Sequence, residues 1–134
     1  MRQVFADTGF WIALVNPRDQ LHAKAVSVAQ QLSAKILTSE MVLVELLNSF
    51  SDAGPLRHAV AGVVRKLRRN RDVTIIPQTA EQFERALQRY EQAADKSWSL
   101  TDCAIFQIME AEHIQAALTH DQHFAQAGFD VLLR

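Results

Sequence analysis

Val4-Phe5-Ala6-Asp7-Thr8-Gly9-Phe10-Trp11-Ile12-Ala13-Leu14 reads in succession as a buried strand, a tight turn and a short helical continuation. Val4-Phe5-Ala6 is the strand and Asp7-Thr8-Gly9 the turn. Residues 10–14 continue helically until Asn16-Pro17, where the missing proline N–H and the bulk of its ring stop a helix. An aspartate thus stands where an apolar strand gives way to a helix.

The same alternation of short apolar runs and longer amphipathic ones fills the rest of the chain. Residues 21–32 have helical periodicity, and residues 34–38 read as a second strand. Ser39 is a good N-cap for a helix running to about residue 50, and residues 51–55 break it. Residues 56–70 read as a helix with a strongly basic second half. Val73-Thr74-Ile75-Ile76 is a third strand, ended by Pro77. Thr79, with Gln82 three residues on, has capping-box spacing for a helix to about residue 94. Ser99 caps the next, to about residue 112. A fourth strand at 115–119, a short helix at 122–127 ended by Gly128, and a last strand at 129–133 complete the order β-α-β-α-α-β-α-α-β-α-β. Strands separated by helices predict an α/β fold, a three-layer α/β/α sandwich with a central parallel sheet. Ligands of such sheets bind beyond the carboxyl ends of the strands, near a switch in strand order.

With 134 residues the expectation is a single domain over 1–134. Hydrophobic residues at 49% against 22% charged supply a conventional core and exclude wholesale disorder. A net charge of −1 means that any polyanion site must come from local clustering. The one cysteine, Cys103, cannot form an internal disulfide, which fits a reducing compartment. The start reads as no secretory signal, and no run approaches the ~18 apolar residues of a membrane helix. The expected setting is the cytoplasm, with no membrane partner.

Four acids occupy matching places. Asp7 follows the first strand directly, and Asp121 follows the fourth, so both project from the carboxyl edge of the sheet. Each also suits a turn or an N-cap. Glu45 interrupts Met41-Val42-Leu43-Val44-Glu45-Leu46-Leu47, and a lone buried carboxylate is costly unless paired or metal-bound. Its alternative place is a narrow solvated stripe with Asn48 and Asp52. Nearby Glu40 complements the helix dipole. Asp102 stands three residues after Ser99, at capping-box spacing, before the apolar helix Cys103-Ala104-Ile105-Phe106-Gln107-Ile108-Met109. It can cap that helix and also ligate a metal. Four carboxylates meeting at one edge repel each other, and divalent cations resolve the repulsion. Oxygen ligands favour Mg²⁺ or Mn²⁺, which activate water and stabilise a leaving oxygen in phosphodiester hydrolysis.

In this order the motifs resemble the PIN-domain family, in particular the VapC-type ribonuclease toxins of bacterial toxin–antitoxin pairs. The opening segment resembles the family's strand, Asp, Ser/Thr and apolar turn. Thr38-Ser39-Glu40-Met41-Val42-Leu43-Val44-Glu45 resembles the second motif, whose acid matches Glu45. Ser99-Leu100-Thr101-Asp102-Cys103 resembles the third, and Leu118-Thr119-His120-Asp121-Gln122-His123-Phe124 the fourth. The resemblance spans nearly the whole chain. It implies cleavage of single-stranded RNA with Mg²⁺ or Mn²⁺, an antitoxin partner and often a homodimer. It makes Asp7, Glu45, Asp102 and Asp121 the catalytic and metal-site acids, with Thr8 and Thr119 as supporting hydroxyls. Gly9 departs from the more usual small polar residue or alanine. Apolar helices at 41–47 and 59–67 fit the expectation of a two-fold homodimer.

Arg65, Lys66, Arg68, Arg69 and Arg71 form the densest positive cluster, suited to RNA phosphates or to a solvated helix end. Trp11 and Trp98 suit base stacking or the core. His120 and His123 flank Asp121 and read as surface residues in preference to phosphate contacts. Cys103 reads as packing. A haloacid-dehalogenase-type phosphatase needs a second Asp where this chain has Gly9. A receiver domain needs its phosphoacceptor Asp after the third strand, where Pro77-Gln78 stands. The remaining alternative is a non-catalytic RNA-binding or scaffold module of PIN fold.

Overall fold

A computed structural model describes residues 2–134, so Met1 of the expected 1–134 unit lies outside the described residues. Five strands, β1 (Gln3–Ala6), β2 (Lys35–Ser39), β3 (Val73–Ile76), β4 (Ala116–Leu118) and β5 (Asp130–Val131), form a sheet in the order β3-β2-β1-β4-β5. All its pairings are parallel.

Parallel neighbours need crossover connections, and helices supply them. On one side α1 (Thr8–Val15) packs on α2 (His22–Gln31) and α3 (Glu40–Ser49), and α3 on α4 (Pro55–Arg69). On the other, α5 (Ala80–Gln92) packs on α6 (Leu100–Ala111), and α6 on α7 (Gln122–Gln126). The chain steps from β1 outward to β3, then returns to β4 on the other side of β1. Right-handed crossovers running in opposite directions place the two helix groups on opposite faces. The expected α/β/α arrangement follows. Among the described residues no helix is long and apolar enough to cross a membrane.

Central strands covered on both faces must be apolar throughout. Val4, Phe5 and Ala6 of β1 and Ala117 and Leu118 of β4 are fully buried. One polar side chain sits among them without loss. The buried Thr38 hydroxyl accepts from Trp11 Nε1 at 3.2 Å and donates to the Ala6 carbonyl at 2.9 Å. Trp11 is therefore a core residue tied to β2, not a stacking platform.

Several boundaries differ from the sequence expectation, and three of them have a local reason. No separate turn precedes α1. Asp7 keeps an extended backbone and its Oδ1 accepts the Thr8 N–H at 2.7 Å, so Thr8 and Gly9 are already helical. Pro55 opens α4 instead of ending the break before it, because a first-turn residue has no N–H to lose; Gly54 precedes it at φ 58°. β5 is shorter than residues 129–133, yet the amides of Leu132 and Leu133 still donate to the carbonyls of Ala117 and Thr119.

Phe106 centres the layer beneath α6. Its ring meets Trp98 and Phe124 edge-on at 5.0 Å and Phe129 at 5.6 Å, with the Arg89 guanidinium 5.7 Å from its centroid. Phe106→Ala should cost about 3–5 kcal/mol, the usual range for a buried aromatic truncation. Urea denaturation measures this. A loss below about 1 kcal/mol would show that the surrounding rings close over the gap.

Candidate active site and metal centre

The strand order switches between β1 and β4, which pair through Phe5 with Ala117 and Ala6 with Leu118. Both strands end at the same edge. Asp7 leaves β1 there and its N–H donates to the Leu118 carbonyl at 3.2 Å. Past β4 come Thr119, which is buried, and Asp121, the N-cap of α7.

Thr119 joins the two sides. Its hydroxyl donates to Asp7 Oδ2 at 2.9 Å and accepts the Asp121 N–H at 3.1 Å. The Asp7 carboxylate is thereby held between the Thr8 amide and the Thr119 hydroxyl. The residue as a whole is partly exposed, but its carboxyl is enclosed, and burial pushes its pKa up from 3.8 to about 6. The two hydrogen bonds oppose that rise, and the charges of Asp102 and Asp121 add to it.

Asp102 is brought to the same edge by the start of α6. Ser99 Oγ accepts the Asp102 N–H at 2.9 Å, and Asp102 Oδ2 accepts the Ser99 N–H at 3.1 Å, a reciprocal capping box. Capping leaves the carboxylate facing α7. His123 Nδ1 lies 3.0 Å from Asp102 Oδ2 and 3.5 Å from Asp121 Oδ1. One donor atom from each of Asp102, Asp121 and His123 falls within 4.8 Å of the others.

Glu45 approaches from the opposite layer. Its Oε1 accepts the Thr8 hydroxyl at 2.7 Å and its Oε2 the Thr101 hydroxyl at 3.0 Å. Glu45 is thus not in a free solvated stripe with Asn48 and Asp52. It is tied to the residue after Asp7 and to the residue before Asp102, and so stands beside the acid group.

The four acids and both supporting threonines named from the sequence therefore meet at one end of the molecule. Thr101 and His123 were not singled out for it. The His123 amide donates to Asp121 Oδ1 at 2.9 Å, a local turn that the sequence could suggest, but the contact of its ring with Asp102 depends on the packing of α7 against α6. His120 is exposed, as expected. Trp98 is half-buried on Phe106, with Nε1 donating to Gln126. Arg65, Lys66, Arg68, Arg69 and Arg71 are exposed around the end of α4, just before β3 begins, and Arg68 lines a groove along β3 with Glu40, Val73, Ile75 and Pro77.

Among the described residues no lysine or arginine forms an ion pair with Asp7, Glu45, Asp102 or Asp121. Carboxylates drawn together without a lysine or arginine partner, two of them sharing a histidine nitrogen, form a donor set that fits a divalent cation.

The PIN domain family model matches residues 4–130 of the chain. The 23S rRNA-specific endonuclease VapC20 of Mycobacterium tuberculosis is 30% identical over 126 residues, which cover 94% of this chain and 95% of the relative. The crystal structure of M. tuberculosis VapC20, described as a sarcin–ricin loop cleaving toxin, matches with a TM-score of 0.84 and 28% identity over 94% of this chain and 95% of that one. VapBC2 from Rickettsia felis, bound to a DNA fragment from its promoter, matches at 0.67 with 14% identity over 96% of each chain. At that identity the likeness concerns the fold alone.

An Asp whose folded-state pKa exceeds its unfolded value destabilises the fold as it ionises. For Asp7 the cost begins as the pH rises through about 4 and is complete above about 6. In protein freed of metal by EDTA, Asp7→Asn should raise stability at neutral pH by up to about 3 kcal/mol. That gain should shrink as the pH falls from about 6 towards 4. Denaturant melts of both proteins across this window measure it. A difference that does not change with pH would refute the assigned ionisation.

Proposed function

This chain belongs to the PIN-domain family, and we propose that it is a divalent-metal-dependent endoribonuclease that hydrolyses phosphodiester bonds of single-stranded RNA, acting as the toxin of a toxin–antitoxin pair. The observation that carries this reading is the grouping of Asp7, Asp102 and Asp121 at the switch point, with Glu45 alongside and, among the described residues, no lysine or arginine paired to any of the four. The named relative's activity on ribosomal RNA supports it.

In this reading Asp7, Asp102, Asp121 and Glu45 are the catalytic acids that hold Mg²⁺ or Mn²⁺. When bound, such an ion supplies an activated water and neutralises charge at the scissile phosphate. The chain's own contribution is placement. Thr119 fixes the Asp7 carboxylate and the Asp121 backbone with one hydroxyl. Thr8 and Thr101 hold one Glu45 oxygen each, so the carboxylate cannot rotate freely. Hydroxyl donors orient these acids without cancelling their charge, which a lysine would do. The attacking oxygen comes from water; Cys103 is buried in α6 and its thiol is pushed up by burial, which leaves it unsuited as a nucleophile.

The basic run ending α4 lies beside β3, the outer strand of the sheet, whereas the acids stand at β1 and β4. It would serve RNA extending beyond the cleaved phosphate, adding affinity that weakens with salt. Val44 and Leu47 are exposed on α3, next to Leu43, Val64 and Ile75. This apolar strip supports an assembled protein, with an antitoxin and a homodimer as the proposed states, in the cytoplasm.

The test is cleavage of single-stranded RNA by wild type and Asp102→Asn with Mg²⁺, with Mn²⁺ and with EDTA. Activity should vanish in EDTA. The substitution should lower it by more than the about 10–100-fold that loss of a ligand's outer partner costs. Cleavage that survives both treatments would rule the mechanism out. Folded wild type that binds RNA under every condition yet cuts none would mark a non-catalytic RNA-binding module.

A further inference from the structure

His123 stands where an extra donor would complete the acid group. The Asp121 carboxylate accepts the His123 amide at 2.9 Å, and this cap fixes the backbone from which the imidazole projects. The ring is partly buried and its Nδ1 faces two carboxylates from two different helix starts, at 3.0 Å and 3.5 Å. Adjacent ligands around an octahedral ion with bonds of about 2.1 Å stand about 3 Å apart, and the more open tetrahedral arrangement widens this to about 3.4 Å. Nδ1 thus stands from each carboxylate oxygen at the spacing of adjacent ligands, and the three donor atoms fall within 4.8 Å of one another.

A nitrogen donor changes which ion such a site prefers. Mg²⁺ is a hard cation that takes oxygen and keeps its waters, whereas imidazole suits transition metals. We infer that His123 is a direct ligand of the divalent cation, with Asp102 and Asp121, and that its nitrogen makes the site discriminate in favour of Mn²⁺ over Mg²⁺. This inference rests on the metal-dependent reading above. It differs from an all-carboxylate site in a way that can be observed without an activity assay.

The competing role for the same geometry is a hydrogen bond. His123 would then hold Asp102 in place and never touch the ion. Pulsed electron paramagnetic resonance of the intact protein titrated with Mn²⁺ separates the two, because a directly bound imidazole nitrogen gives a hyperfine coupling that a more distant one does not. Wild type should show that coupling and His123→Gln should lose it. Gln keeps a hydrogen-bonding group of similar reach, so a purely orienting role would survive the substitution. By calorimetry, His123→Gln should weaken Mn²⁺ by at least about tenfold, since loss of even an outer partner of a ligand costs about 10–100-fold in affinity. Mg²⁺ affinity should fall much less. Wild type that binds Mn²⁺ without nitrogen coupling, or His123→Gln that binds Mn²⁺ as tightly as wild type, would overturn the assignment and leave the acid site standing. Wild type that binds no Mn²⁺ at all would overturn the assignment and the metal reading together. The wild-type spectrum decides the matter even if His123→Gln fails to fold.

Discussion

The pairing of β1 with β4 is the constraint on which the site depends. Both strands are buried on both faces, and their register sets Phe5 beside Ala117 and Ala6 beside Leu118. Their carboxyl ends consequently arrive together, and whatever follows each strand is delivered to the same few ångströms. Asp7 follows one; Thr119 and Asp121 follow the other. The Thr119 hydroxyl, donating to Asp7 and accepting from the Asp121 amide, closes the junction. The two helix layers then add one acid each: Glu45 from α3 and Asp102 from α6.

Much of this was legible in the sequence because it is local. Strand positions followed from apolar runs, and Ser39, Thr79 and Ser99 announced their helices; all three accept the expected backbone N–H. Asp7 and Asp121 could be placed at the sheet edge because one follows a strand directly and the other within three residues. What was not legible depends on distance across the fold. The pairing of Thr101 with Glu45 spans 56 positions and joins opposite layers. His123 reads as a surface residue from its neighbours alone, and only the approach of α6 to α7 brings Asp102 to it. The basic cluster shows the same limit. Its charge density is plain in the sequence, but its place beside the outer strand β3 follows only from the sheet order.

The polar partners chosen around the acids matter for energetics. An Asp7 pKa near 6 corresponds to at most about 3 kcal/mol of unfavourable ionisation in the folded state. A lysine or arginine at the site would remove that cost, and would also remove the reason for a cation to bind. Thr8, Thr101 and Thr119 offer neutral hydrogen bonds that direct the lone pairs while leaving the negative charge in place. Stability given up by the metal-free fold is in this way available to a ligand that binds the folded state alone.

The same argument explains why three of the four acids stand at helix starts. Asp7 caps α1, Asp121 caps α7, and Asp102 is the third residue of α6. A carboxylate there gains about 0.3–1 kcal/mol from the helix dipole and satisfies an amide that would otherwise lack a partner. That gain is smaller than the cost of crowding and burying Asp7, so the caps ease the assembly of like charges without neutralising it. Cap and proposed ligand are therefore compatible roles of one side chain: one lone pair takes the amide and the other stays directed at the edge. Glu45 tests the idea by exception. It lies in the second turn of α3, past the reach of the free amides, and there two threonine hydroxyls supply the hydrogen bonds that a helix start supplies to the other three.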